Sequence, residues 1–183
     1  MESRLQKKYK KEVVPALQEK FGYKNVMSVP KILKVTINVG INSRNTDSGL
    51  LDNVENNLRR ITGQKPVRTK SRAAISAFKV KENMVVGVVV TLRGQKMYDF
   101  LDKLINVSLP RIRDFRGVSA GNIDRQGNLS VGFKEHIVFP EIRSDEVERI
   151  HGLQVNVTTN AKNHQEGEEL FRLLGFPMQK KDK

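Results

Sequence analysis

Apolar and polar residues alternate from Leu33 to Val39, with Leu33, Val35, Ile37 and Val39 on one side and Lys34, Thr36 and Asn38 on the other. A period of two is that of a strand with one buried face. The same period returns where Leu153, Val155 and Val157 alternate with Gln154, Asn156 and Thr158, followed by Asn160. Met84 to Leu92 is instead almost wholly apolar and rich in Val, the pattern of a central strand covered on part of both faces. Gly87 within it predicts a bulge or a close backbone approach.

Elsewhere the apolar positions recur at helical spacing. Leu5, Tyr9, Val13 and Leu17 form a stripe that Gly22 ends, and Pro15 inside it predicts a kink or a new turn. Leu51, Val54, Leu58 and Ile61 share a second helical face, with Asp47 or Ser48 as N-cap and Gly63 as C-cap. Met97, Phe100, Leu101, Leu104 and Ile105 mark a third helix, stopped by Pro110. Asn163 and Glu166 have the spacing of a capping box, opening a last helix that buries Leu170, Phe171 and Leu174 and ends at Gly175 and Pro177. From Arg111 to Phe139 the glycines at 117, 121, 127 and 132 and the Gln126-Gly127-Asn128 turn predict short antiparallel strands. A chain of 183 residues, 38% hydrophobic, fills one core. The expected organisation is one domain over 1–183, with an N-terminal helix at 1–22, an extended basic loop at 65–81 and a frayed basic tail at 176–183.

Charge changes the picture. Thirty-three Lys and Arg against 20 Asp and Glu give +13 and a pI near 10.1, a long-range field for polyanions, nucleic acid first and an anionic membrane surface second. No apolar run is long enough to span a membrane. Between Lys65 and Lys81 the chain carries Lys65, Arg68, Lys70, Arg72, Lys79 and Lys81 without an acid. Ser71 to Ala77 is small and weakly amphipathic, which predicts an exposed mobile loop between two ordered elements. A solvated charged face is the competing reading, weakened because such faces usually mix both signs. The outward amides and hydroxyls of the two alternating strands suit phosphate and 2′-hydroxyl groups, against the plainer reading of a wet sheet face. Aromatic platforms are absent from those strands, so RNA there would be read by shape and backbone.

No catalytic constellation can be assembled. The absence of cysteine excludes thiol catalysis, disulfides and cysteine zinc sites. The three histidines, His136, His151 and His164, are assigned to different elements and read as surface or satisfied groups, and Gly121 to Gly127 lacks the Lys and Ser/Thr of a phosphate-binding loop. Glu141, Asp145, Glu146 and Glu148 are interspersed with Arg143 and Arg149, a solvated or partner-facing surface. No cofactor, metal or small-molecule substrate is implied, and the N-terminal MESRLQKKYKKEVV carries no targeting core, which predicts a cytosolic binding protein. An architectural duplex-DNA binder competes on charge alone but lacks a basic recognition helix. A nucleic-acid-processing enzyme would need a carboxylate cluster for metal.

With those residues read, the chain resembles the bacterial large-subunit ribosomal protein five family, the 5S ribosomal RNA binding family of the central protuberance. The matching signature is Leu58, Ile61, Thr62, Gly63, Gln64, Val67, Thr69, Ser71, Arg72 and Ala74. LLDN at 50–53, FK at 78–79, TLRG at 91–94, PRIRDFRG at 110–117, FPEI at 139–142 and TTNAK at 158–162 support it. The resemblance implies an α+β fold, an antiparallel sheet with helices on one face and RNA on the other. It implies 5S RNA contacts at Lys34, Thr36, Asn38, Gly40, Thr91, Arg93, Gly94, Asn156 and Thr158. It also implies contacts to large-subunit RNA and neighbouring ribosomal proteins, and a contact of Lys70, Ser71, Arg72, Lys79 and Lys81 with peptidyl-site transfer RNA. A contact of Glu141, Asp145 and Glu146 with a basic small-subunit protein would complete the partners, in the ribosome of the cytoplasm. The chain departs from the family pattern at Asn42, where a glycine is usual.

Overall fold

A computed structural model describes residues 2–41, 48–143 and 149–179. Asn42, the Asp47 cap, Asp145, Glu146, Glu148 and the tail beyond Gln179 lie outside the described residues. Five strands, β1 (Ile32–Gly40), β2 (Val67–Lys70), β3 (Val85–Leu92), β4 (Leu129–Phe133) and β5 (Leu153–Thr159), lie in one sheet in the order β2-β3-β1-β5-β4. β2 and β3 run antiparallel, Val67 opposite Val89 and Thr69 opposite Gly87. Bonds at the strand ends give the other directions. The Ile41 N–H beyond β1 donates to Val86 O at the start of β3 (2.9 Å), and the Asn160 N–H beyond β5 donates to Lys31 O before β1 (3.2 Å). The Thr159 N–H at the end of β5 donates to Asn128 Oδ1 before β4 (2.9 Å). An end meets a start each time, so the sheet is antiparallel throughout.

The period of two is realised in β5, where Leu153, Val155 and Val157 are buried while Gln154 is exposed and Asn156 and Thr158 are half-buried. In β1, Val35, Ile37 and Val39 are buried and Lys34, Thr36 and Asn38 half-buried. Leu33 departs from the expected inward position: it is 45% exposed, and Ile32 takes the buried place. The strand begins there beside Asn160, whose Oδ1 accepts from the Lys31 N–H (2.6 Å). A side chain closes the ladder at that end, and the alternation settles only from Lys34. Gly87 meets both expectations. The β2 register slips between Thr69 and Lys70, and a Cβ at 87 would lie 2.7 Å from Val39 O and 3.2 Å from Thr69 Oγ1.

The helices are α1 (Arg4–Lys8), α2 (Val14–Phe21), α3 (Ser48–Thr62), α4 (Gly94–Lys103) and α5 (His164–Leu174). A wide π turn, Tyr9–Val13, joins α1 to α2, and a second, Leu104–Ser108, follows α4. In each, the closing N–H reaches five residues back, Val14 to Tyr9 O and Leu109 to Leu104 O. Each ends two residues before a proline, Pro15 or Pro110. Proline lacks the N–H and crowds the carbonyl four residues back, and widening the preceding turn removes that clash. The stripe survives, with Leu5, Val13 and Leu17 buried, and Gly22 ends α2 at φ +68°.

Two expectations near the C-terminal half need correction. Among the described residues, Arg111 to Phe139 holds one strand, β4, with only isolated bridges Ile123 to Leu129 and Val118 to Met178. Here a carboxylate replaces a sheet ladder as the organiser. Asp124 Oδ1 accepts from the Gln126 and Asn128 N–H groups (2.9 and 2.8 Å) and Oδ2 from Asn128 Nδ2 (2.8 Å). The capping box at α5 also differs. The Asn163 side chain makes no cap bond, and Glu166 Oε2 accepts instead from the Lys162 N–H (2.9 Å), one residue earlier than a box requires.

The single α+β domain is made of two compact units: Met1–Val35, Leu92–Val131 and Asn156–Lys183 form one, and Thr36–Thr91 and Gly132–Val155 the other. In the first, Leu5, Val13 and Leu17 are buried with Met97, Phe100, Leu101 and Leu104 of the α4 segment and Leu170, Phe171 and Leu174 of α5. In the second, Leu51, Val54, Leu58 and Ile61 of α3 are buried with Ile37, Val39, Val88 and Val90.

Candidate nucleic-acid interface

The polar strand positions owe their exposure to the pleat, since burying Val35, Ile37 and Val39 turns the intervening side chains outward. In the second unit this presents Thr36 and Asn38, half-buried, and exposed Gly40 at the end of β1. On β3, Thr91 is half-buried, its carbonyl accepting from Gln64 Nε2 (3.1 Å), so the residue after the α3 C-cap fixes that stretch of strand. The Gly87 approach brings Gly40 close to Thr69, at the root of the basic stretch. In the first unit, Lys34, Asn156 and Thr158 are half-buried, and Arg93 and Gly94 are exposed at the start of α4. Asn160 contributes less than its sequence position suggests, because its Oδ1 accepts from the Lys31 backbone.

The basic stretch is more ordered than a plain loop. Val67–Lys70 is strand β2, and residues 71–84 form an arm between β2 and β3. The Ser71 N–H donates to Met84 O (2.8 Å) and the Asn83 N–H to Ser71 O (3.0 Å), which closes the neck. Farther out, Ile75 and Val80 exchange backbone bonds of 2.9 and 3.1 Å around a 3₁₀ turn, Ser76–Phe78. Lys70, Arg72, Lys79 and Lys81 are exposed and Ser71 is half-buried. Arg68 drops out of the electropositive set: its Nε donates to Glu55 Oε2 (2.9 Å), and its guanidinium also pairs with Asp52, both acids on α3. Ile75 is 46% and Phe78 69% exposed.

Two of the three histidines, His136 and His151, are brought together. His136 is fully buried, and its ring stacks on His151, centroids 3.9 Å apart and planes 3° from parallel. His136 Nδ1 accepts from the His151 N–H (3.3 Å). Burial holds both imidazoles below the usual histidine range, and proximity to His136 helps carry His151 down to about 4. Nothing in the sequence pairs two histidines fifteen residues apart. His164 Nε2 sits 3.2 Å from Ala120 O. Of the acidic segment, Glu141 is half-buried just after the 3₁₀ turn His136–Val138, and residues 141–143 are not helical. Among the described residues no three His, Asp or Glu gather as a metal site, and no helix is long and apolar enough to cross a membrane.

A basic chain with open strand faces and a cationic arm has the chemistry found in proteins that hold nucleic acid. Comparison with known proteins narrows this. Residues 25–81 match the family model described as ribosomal protein L5, and residues 85–178 the model of the ribosomal L5P family C-terminus. The chain is 50% identical over 177 residues to the large ribosomal subunit protein uL5 of Clostridium tetani, covering 97% of this chain and 98% of that one. It is 49% identical over 181 residues to the protein of the same name from Clostridium kluyveri, covering 99% of this chain and 100% of that one. Over 173 residues it is 49% identical to that of Halothermothrix orenii, with coverage of 94% and 97%. The chain therefore belongs to the ribosomal protein L5 family, whose members are structural constituents of the large ribosomal subunit and not enzymes.

Proposed function

We propose that the chain binds 5S ribosomal RNA and helps to attach it in the central protuberance. The carrying observation is the outward row of Lys34, Thr36 and Asn38 on β1, matched by Asn156 and Thr158 on β5, while Val35, Ile37 and Val39 of β1 and Leu153, Val155 and Val157 of β5 are buried. Hydroxyls and amides at that spacing donate to phosphate and 2′-hydroxyl oxygens, and Lys34 adds a point charge. Gly40, Thr91, Arg93 and Gly94 extend the contact, the glycines allowing backbone to approach RNA closely. The arm residues Lys70, Ser71, Arg72, Lys79 and Lys81 meet peptidyl-site transfer RNA. Among the described residues none of those four cations pairs with a carboxylate, so their field is available to an external polyanion. Glu141, Asp145 and Glu146 meet a basic small-subunit protein, where opposite charges suit a contact that slides.

Filter binding of the full chain to 5S RNA tests the first part. Log affinity should fall by roughly 0.7 to 0.9 per log unit of salt for each phosphate neutralised, and Asn38→Ala with Thr158→Ala should weaken binding. Replacing Arg72, Lys79 and Lys81 together by Ala should leave 5S affinity nearly unchanged while loosening transfer RNA on ribosomes that carry the variant. Salt-insensitive binding, or equal affinity for duplex DNA, refutes the sheet assignment. A large loss of 5S binding by the triple variant gives the arm to the wrong partner.

A further inference from the structure

Within the first unit a second cationic surface follows α4. From Leu104 to Ile123 the only charged side chains are Arg111, Arg113, Asp114 and Arg116, and the three arginines are exposed. Among the described residues none of them makes an ion pair or a side-chain hydrogen bond. Asp114 does not neutralise them. It sits at a φ of +54°, a turn conformation that Asp tolerates better than most residues. The loop is held at both ends. Leu109 is fully buried, and its carbonyl accepts from the Ile112 N–H (3.2 Å). At the other end the Val118 N–H donates to Pro177 O (2.7 Å) and the Gln179 N–H to Val118 O (2.9 Å). Gly117, at φ +95°, packs there so closely that a Cβ would lie 2.9 Å from Gln179 N. Three guanidinium groups are thus carried on a short, fixed segment, which lowers the ordering cost of binding.

The backbone stays helical from α4 through the π turn and into a 3₁₀ turn, Leu109–Arg111. At about 1.5 Å per residue, Gly94 and Arg111 stand about 25 Å apart along this rod. Arg93 and Gly94, assigned above to 5S RNA, are therefore at one end and the arginine loop at the other. An attachment needs a grip on each of the two bodies it joins. Arginine suits phosphate because its planar fork donates two parallel bonds, where lysine offers a point charge. An acidic protein surface would also take guanidinium groups, but ribosomal RNA is a partner of this family and carries a phosphate at every nucleotide. We propose that Arg111, Arg113 and Arg116 form a second RNA site, which binds phosphates of a ribosomal RNA segment outside 5S RNA. The inference rests on the reading that the other end of the helix meets 5S RNA.

Crosslinking identifies the partner. Large subunits are assembled with chains in which a photoreactive benzophenone amino acid replaces Arg113. After irradiation, RNA crosslinks are read by primer extension and protein crosslinks by mass spectrometry. Stops in the large-subunit RNA are expected. Stops confined to 5S RNA, a crosslink to protein alone, or no crosslink overturns the proposal. Salt dependence tests the charge. Arg111→Ala, Arg113→Ala and Arg116→Ala together should leave the affinity for 5S RNA unchanged in filter binding. When the complex with 5S RNA is titrated with protein-free large-subunit RNA, the same variant should lower the magnitude of the salt slope by about 2 to 3. The three Arg→Lys exchanges should keep the slope but weaken binding. A parental slope for the alanine variant, or no binding by the parent, overturns the second site, and a loss of 5S affinity by that variant gives the loop to 5S RNA instead. Failure of the 5S reading shows separately, as parental 5S affinity of Asn38→Ala with Thr158→Ala while position 113 still crosslinks to large-subunit RNA. Because the three arginines are exposed, the variant should melt with the parent, so a binding loss is not a folding loss.

Discussion

Replacing Gly167 by Ala sets two physical effects against each other. Gly167 lies within α5, where Ala is favoured over Gly by about 1 kcal/mol, so helix propensity alone predicts a more stable protein. The turn packed on it reverses the sign. A Cβ at 167 would lie 2.5 Å from Gly127 Cα and 2.6 Å from Gly127 O, about 1 Å inside ordinary carbon contact. Gly127 cannot retreat easily. It sits at φ +76° in the turn that Asp124 clamps, and its carbonyl accepts from the buried Thr159 hydroxyl (2.9 Å). Relief requires the turn to part from the helix, at an overpacking cost of about 1–3 kcal/mol and the loss of a bond of about 1 kcal/mol. Gly167→Ala should therefore destabilise by about 1–3 kcal/mol after the propensity gain. Urea unfolding followed by circular dichroism should give a lower midpoint with the slope unchanged. Gly49→Ala in the first turn of α3, where a new Cβ meets nothing within 4 Å, should give a higher one. An equal or higher midpoint for Gly167→Ala refutes the reasoning.

The histidine pair makes stability depend on pH. Because burial holds His151 near 4 and His136 below its usual value, the unfolded chain binds protons first. Stability is complete above about pH 6.5 and falls as pH drops toward 4, by up to about 3 kcal/mol for His151. Ring-carbon NMR that finds both imidazoles titrating near the free-histidine value would remove that dependence. Gly87→Ala should cost about 1–3 kcal/mol through its 2.7 Å approach to Val39 O, read as a lower melting temperature; a neutral result means that β1 and β3 can separate freely. Asp124→Ala should loosen the turn before β4 by about 1 kcal/mol, detected as faster amide exchange at Gln126 and Asn128. Unchanged exchange there would show that the backbone holds the turn without the carboxylate.

Elements whose reason is local were legible in the chain. The strands β1 and β5 follow from alternation, and α3 and α5 from a stripe ended by Gly63 and Gly175, both of positive φ. Gly87 stood out because a glycine in an apolar run has few other uses. Features decided by tertiary partners were not legible. Arg68 looked like part of the cationic field until α3 brought Asp52 and Glu55 against it. His136 and His151 carry no pattern, since their stacking is a tertiary contact between residues fifteen apart. Leu33 lost its place to Ile32 because a strand's first pairing depends on its neighbour, here Asn160.

The π turn at Tyr9–Val13 acts as a phase adjuster. Leu5, Val13 and Leu17 are spaced in multiples of four, more than one regular α-turn, and the wide turn absorbs the surplus. Inserting one more residue there would swing everything downstream by about 100° and carry Leu17 off the interior, while deleting one would restore ordinary winding and set Pro15 in a turn with no room for its ring. The first helix of this protein thus tolerates exchange of its side chains far better than any change in their number.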